Sequence, residues 1–454
     1  MEKQRGHVIV LTYPAQGHIN PLLQFAKRLA SKGLKATLAT THYTINSIQS
    51  TTVGIEPISD GYDEGGFKQA PSLEVYLESF KTVGSRTLAE LILKFSESTS
   101  PVNCIVYDLL VPWAVDVARQ FNIYAAVFMT NSASVCSLYW HIDRGNLSFP
   151  VKPETLPLLV PGLPPLDLSE LPSFLAQPGN HSAYLAIIME KFGCLEENDW
   201  VFCNSFEELE SELVKAMSGL WPFVMIGPMV PSAYLDQQID GDTTYGASLW
   251  NPTTECLIWL EAKPANSVIY ISFGSMADIQ PKQLEEIAWG LKNSGKHFLW
   301  VAKEPEKRLP NEFLNSIGET GLVIPWCDQL EVLGNQAVGC FVTHCGWNST
   351  LEGLSLGVPM VGLPQWSDQP ANAKFMEVRG VGVRAKRNEE GIVTRENLEM
   401  SIKEVMDGGK SGEIRRNALK WRETAKKAVS IDGSSDKNIN EFVEKLVKGE
   451  GKKG

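Results

Sequence analysis

FVTHCGWNSTLEG, running from Phe341 to Gly353, passes from a strand-like apolar run through a polar turn into a helical pattern. The turn gathers His344, Gly346, Trp347, Asn348 and Ser349. Asn348 has the chemistry of an N-cap, and Ser349 with Glu352 has the S-x-x-E spacing of a capping box. Capping accounts for those three residues and leaves His344 and Trp347 without a role. Small residues ahead of a helix also make an anion site, because free N–H groups and the helix dipole favour a phosphate. The surrounding sequence decides between cap and site.

Outward from this turn, short apolar strands alternate with helical patterns. SVIYISFGS (267–275), a helix from Pro281, HFLWVA, GLVIPW, VGCFVTH, the helix after Asn348 and PMVGLP form one series. An earlier series holds HVIVLTYP (7–14), a helix from Pro21 capped by Asn20, KATLATT (35–41), GIEPIS (54–59), a helical stretch near 73–97 and NCIVYD (103–108). It continues through AAVFMT (125–130), a helix across 132–143, DWVFCNS and FVMIGP. Near-continuous apolar strands separated by helices predict parallel sheets covered on both faces. Two such series predict an α/β chain of two doubly wound domains, 1–232 and 255–435. Between them, 233–254 lacks periodicity and reads as a linker. The Pro- and Leu-rich segment 149–178 reads as an irregular surface excursion.

The 454 residues suffice for two or three domains, and 43% hydrophobic with 21% charged residues is a soluble globular composition. A net charge of −12 argues against nucleic acid or an anionic membrane as partner. An anionic ligand must then be held by local donors. No apolar run reaches the length of a membrane span, and the first seventeen residues lack a signal-peptide core. The eight cysteines form no C-x-x-C pair, which suits a reducing compartment. The expected location is the cytosol, as a monomer, so the glycosylation triplets at Asn146 and Asn180 carry no weight.

In open parallel sheets, ligands bind beyond the strand carboxyl ends, at the switch point between strands 1 and 4. In the second series those strands end in FGS (273–275) and THCGWNS; in the first they end in YPAQGH and YD. The polar turns therefore fall where a ligand is expected, twice.

From Trp326 to Gln369 the chain reads WCDQLEVLGNQAVGCFVTHCGWNSTLEGLSLGVPMVGLPQWSDQ. This resembles the PSPG signature of plant family-1 UDP-sugar glycosyltransferases in length and spacing. The GHINP turn, FGS and the two alternating series match the same family, so the resemblance covers nearly the whole chain. YPAQGHINPLLQFAKRL, ISDGYDEGGF and GPMVPSAYLD resemble the subgroup that glucosylates salicylate, thiohydroximates, triterpenoids and steroids. The resemblance implies a GT-B fold, with Rossmann-like domains facing a cleft and the last helix, 436–454, packing back on the first domain. One stretch, KFMEVRGVGVR (374–384), is a residue shorter than in such relatives.

The resemblance also implies roles for the donor, UDP-glucose. Trp326 would stack on uracil, with the Cys327 backbone at its polar edge. Gln329 and Glu352 would bind ribose hydroxyls. His344, Asn348, Ser349 and the Ser275 turn would hold the diphosphate, with Gly346 at the helix start. Trp347 would wall the sugar pocket. Trp366, Asp368 and Gln369 would bind glucose, a carboxylate beside an amide both accepting from and donating to a polyol. Thr130 is placed with the donor set.

His18 follows strand 1, just ahead of the expected helix start, where the dipole's positive end favours a neutral imidazole. Asp108 ends the neighbouring strand 4 and can accept from one ring nitrogen, fixing the tautomer. A lone histidine at a turn is most often merely exposed; its place at the switch point and the family's base position make His18 the candidate base. His7, His42, His141, His181 and His297 read as structural. Asp240-Gly-Asp242 looks like a metal-binding D-x-D but follows no strand, and reads as solvated loop. No metal and no prosthetic group are expected.

These readings converge on an inverting, metal-independent UDP-glucosyltransferase acting on hydroxyls of small apolar aglycones such as steroids, triterpenoids, phenols or flavonoids. Tyr139, Trp140 and Tyr184 could line its acceptor cleft or belong to ordinary core. Glucose-ester formation on carboxylates and a catalytically silent sugar-nucleotide binder remain as alternatives. A nicotinamide oxidoreductase lacks G-x-G-x-x-G after either first strand.

Overall fold

Runs of Val, Ile, Ala and Phe without polar alternation are satisfied by burial on both faces. The computed structural model, which describes residues 6–49, 52–177, 179 and 182–449, places them in two parallel sheets. The first comprises β1 (His7–Leu11), β2 (Lys35–Thr41), β3 (Gly54–Ile58), β4 (Val102–Asp108), β5 (Tyr124–Met129), β6 (Trp200–Cys203) and β7 (Phe223–Met225). Its order is β3-β2-β1-β4-β5-β6-β7. The second comprises β8 (Val268–Ser272), β9 (His297–Val301), β10 (Gly321–Ile324), β11 (Val338–Thr343), β12 (Met360–Gly362) and β13 (Gly382–Arg384), in the order β10-β9-β8-β11-β12-β13. β1, β8 and β11 are buried at every residue. The switch points lie between β1 and β4 and between β8 and β11, as the alternation predicts.

Three expectations about local structure need correction. The first helix runs from Gln16 to Ser31, so Pro21 is inside it and Asn20 caps nothing. Extended Ala15 occupies the N-cap position without a side-chain bond. The segment 233–254 is not solvated loop throughout. Asp242 is 5% exposed and accepts from Lys27 Nζ (2.8 Å), Gln24 Nε2 (2.6 Å) and the Ser232 N–H (2.7 Å). Asp236 takes a two-bond contact from Arg28. Both carboxylates thus fasten the segment to the far side of the Gln16–Ser31 helix. The excursion 149–178 is irregular, but Leu166, Glu170, Leu171, Phe174 and Leu175 are buried.

The last helix spans Ser434–Lys448 and lays Ile439, Phe442 and Leu446 into the core under β1, with Val8, Val10 and Phe25. Phe442 meets Trp200 and Phe202 edge-on, with ring centroids 4.9 and 5.0 Å apart. The tail beyond Gly449 lies outside the described residues, as does His181. In the shortened stretch, Arg379 donates twice to the Leu209 carbonyl, tying the turn after the Gln369–Val378 helix to the other half.

Candidate active site

The strand ends of the two sheets face one cavity of about 730 Å³. From the first half, the turn after β1 contributes His18 and the end of β5 contributes Thr130. His18 sits in the first turn of its helix, and its Nδ1 lies 2.7 Å from Asp108 Oδ2. Asp108 is fully buried; its Oδ1 accepts from the Leu110 N–H at 2.8 Å, which fixes the carboxylate's orientation. Nδ1 is thus engaged, leaving Nε2 as the nitrogen available to a ligand. His18 keeps 20% of its side chain exposed, enough to reach one.

From the second half, the cavity takes Ser275, Trp326, Cys327, Gln329, His344, Gly346, Trp347, Asn348, Ser349, Glu352, Trp366, Asp368 and Gln369. Every catalytic or donor-site candidate from the sequence therefore borders this space, except Asp108, which stands behind His18.

The capping reading of the opening turn is wrong. The helix runs Trp347–Leu356 with Gly346 as N-cap, and no side chain caps it. Glycine is required there: a Cβ on Gly346 would lie 2.5 Å from the His344 ring, and one on Gly274, at φ +74°, would lie 2.8 Å from it. Burial holds His344 at a pKa of about 4, so the ring is neutral. Freed from capping, the polar residues face elsewhere. Asn348 Nδ2 donates to the Gly17 carbonyl at 2.6 Å. That carbonyl lacks an intrahelical donor because Pro21 has no N–H. Ser349 accepts from Gln329 (2.9 Å), and Glu352 accepts from Gln329 (2.5 Å) and Tyr245 (2.9 Å). Burial raises Glu352 to a pKa of about 7. Trp347 is only 5% exposed and donates to the Asn204 carbonyl at 2.6 Å, so its indole joins the halves more than it walls the cavity.

Asp368 is buried, with its pKa raised to about 6 by desolvation, while Asn372 donates to it at 2.7 Å. Asp368 and His18 border the same cavity, so the two halves bring a carboxylate and an imidazole to one place. Gln369 Oε1 accepts from the Gln365 and Trp366 N–H groups. On the first-half side, Leu110, Phe174, Tyr184 and Ile188 give the cavity an apolar wall. Tyr139 and Trp140 are not part of it; they pack in the core against Phe192 and Trp221.

Three neighbours were not visible in the sequence. Tyr245 reaches Glu352, Asn372 reaches Asp368, and Trp250 leans on Trp326 with ring centroids 5.8 Å apart at 35°. Tyr245 and Trp250 sit in the aperiodic segment, where no pattern marks them. Among the described residues, no three His, Cys, Asp or Glu side chains converge as metal ligands, and no helix is long and apolar enough to cross a membrane.

Residues 229–420 match the family model for UDP-glucoronosyl and UDP-glucosyl transferases. The flavonol 7-O-beta-glucosyltransferase UGT74F1 of Arabidopsis thaliana is 47% identical, over 98% of this chain and 99% of the relative. The chain belongs to the plant family-1 UDP-glycosyltransferases. Mogroside I-E synthase of Siraitia grosvenorii, a member of similar extent, is 43% identical over 98% of this chain and 99% of its own. Among solved members, Os79 of O. sativa in complex with UDP superposes with a TM-score of 0.93 at 40% identity, covering 97% of this chain and 100% of that one. Os79 has also been solved with a trichothecene. The fold is thus the family's GT-B arrangement, and the protein is a UDP-glycosyltransferase acting on small molecules.

Proposed function

We propose that this enzyme transfers glucose from UDP-glucose, with inversion, to a hydroxyl of a small apolar aglycone of steroid, triterpenoid or phenolic type. The observation that carries the reading is the His18–Asp108 pair, 2.7 Å apart, opening onto a cavity shared with Asp368 and Gln369. In this reading His18 Nε2 takes the hydroxyl proton as the oxygen attacks the anomeric carbon. Asp108 accepts from Nδ1–H and stabilises the imidazolium. A single base and a single displacement give inversion. UDP departs from the opposite face, its charge met by His344, Ser275, Asn348, Ser349 and the N-terminus of the Trp347–Leu356 helix. That arrangement calls for no metal, and chelators should leave turnover unchanged.

Trp326 and the Cys327 backbone take uracil, Gln329 and Glu352 the ribose, and Trp366, Asp368 and Gln369 the glucose. Thr130 and Trp347 complete the walls. Residues 1–232 with the last helix serve the acceptor, and 255–435 serve the donor. The apolar wall of Leu110, Phe174 and Ile188 supports a hydrophobic acceptor. A carboxylate, already ionised at neutral pH, needs little from a base, so the intact pair favours a hydroxyl. The test is a panel of aglycones with UDP-glucose, products then being treated with mild alkali. Alkali-stable β-glucosides are expected. Products formed only from carboxylates and cleaved by alkali would establish ester formation instead, and absence of acceptor-dependent UDP release would leave a silent binder.

A further inference from the structure

The excursion after residue 166 does not stay on its own half. Ser173 opens a one-turn helix, Ser173–Ala176. Its N–H donates to the Ser367 carbonyl at 2.7 Å, and its Oγ accepts from the Ser367 N–H, also at 2.7 Å. Ser367 is a non-glycine residue at φ +59°, in the left-handed region. A side-chain-bearing residue stays there only where its surroundings hold it. Here both of its backbone polar groups are held, and both by Ser173. Glu170, three residues earlier and 3% exposed, anchors the same strap. Its Oε1 accepts from Lys374 and Arg384, each at 3.0 Å. The residue after Ser367 is Asp368, and the one before it is Trp366, whose ring meets Phe174 edge-on at 6.0 Å.

We propose that Ser173 is a positioning residue for the donor sugar: it holds Ser367 left-handed and so aims the Trp366–Gln369 turn into the cavity. The inference rests on the reading of Asp368 and Gln369 as the sugar subsite. It goes further in assigning donor selectivity to a segment of the acceptor half. The sugar subsite is then complete only when the strap is docked.

The test pairs Ser173→Ala with Asp368→Asn. KM for UDP-glucose, the ratio of kcat/KM for UDP-glucose over UDP-galactose, and inhibition by UDP alone are measured, with Tm as a check on folding. Ser173→Ala should raise KM for UDP-glucose and lower the sugar ratio by about fivefold each, the scale of one hydrogen bond. Inhibition by UDP should stay constant, since UDP carries no sugar. Ser173→Thr, which keeps the hydroxyl, should retain the wild-type ratio. Ser173→Cys carries the same test if the alanine variant loses its fold. If Ser173→Ala leaves the ratio intact while Asp368→Asn changes it, the strap is a mere fastening and the proposal fails. A parallel loss of UDP affinity would also overturn it. If Asp368→Asn itself leaves the ratio unchanged, the sugar-subsite reading falls and the proposal falls with it.

Discussion

His18 and Asp108 are ninety residues apart in sequence and 2.7 Å apart in space. Both could be read from the chain, because Asp108 closes β4, His18 begins the helix that follows β1, and the switch-point rule makes those strands neighbours. His18→Ala should reduce transfer to hydroxyl acceptors on the order of 10²–10⁴-fold, the usual contribution of a general base. UDP affinity, measured by calorimetry, should be preserved; near-normal turnover would refute the mechanism. For Glu352 the residue pattern offered a cap and the family resemblance a ribose contact beside Gln329; its bond to Tyr245 was not legible, because Tyr245 lies in a segment without periodicity. The Glu352 pKa of about 7 lies above the ordinary carboxylate value of 4.5, so the fold favours the protonated form. That preference supports folding at low pH and is lost as pH rises through about 7. Ribose hydroxyls donating to the carboxylate favour its ionised form. UDP-glucose binding near pH 7 should therefore release a proton. Binding enthalpies in buffers of different ionisation heat measure this, and no buffer dependence would contradict the ribose role.

Elements were legible where hydrophobic periodicity governs them and opaque where long-range polar contacts do. Each strand from β1 to β12 starts within a residue of its apolar run, whereas β13 lies outside both series. Helix starts follow the sequence at Pro281 and Leu73 but not at Gln16 and Trp347, because Ala15 and Gly346 cap by backbone conformation alone and leave no side-chain signal. The segment 233–254 misled for the same reason. Asp236 and Asp242 look solvent-facing, yet their basic partners lie more than two hundred residues upstream. Lys27 is 8% exposed, and Asp242 is its carboxylate partner. Asp242→Ala would strand a buried ammonium and should cost about 3–5 kcal/mol, as removal of one member of a buried pair does. Denaturant unfolding measures it. A loss within a few tenths of a kcal/mol would show that water and the Thr244 carbonyl, to which Lys27 already donates at 2.7 Å, suffice for the ammonium.

At the scale of the whole molecule, the two-sheet plan and the return of the last helix follow from the series of strands and the family signature. The relative placement of the halves does not, since it rests on single side chains from each. Ile439, Phe442 and Leu446 cover the face of the first sheet opposite the cavity's acceptor wall. Burying each is worth roughly 1.5–3 kcal/mol. A chain ending at Ser430 should lose several kcal/mol and expose Phe25 and Phe202. The expected outcome is aggregation or a sharply lower Tm on heating, and a truncated enzyme with unchanged Tm would contradict this account of the helix.

Pro21 denies the Gly17 carbonyl its helical donor, and Asn348 supplies one from the opposite half. The helix that carries His18 is thus finished by a residue of the opposite half, as a keystone finishes an arch from the other side. Any separation of the halves would leave that carbonyl to water. The proposed base and the proposed diphosphate turn are therefore aligned through one shared hydrogen bond, and losing it would disturb both together.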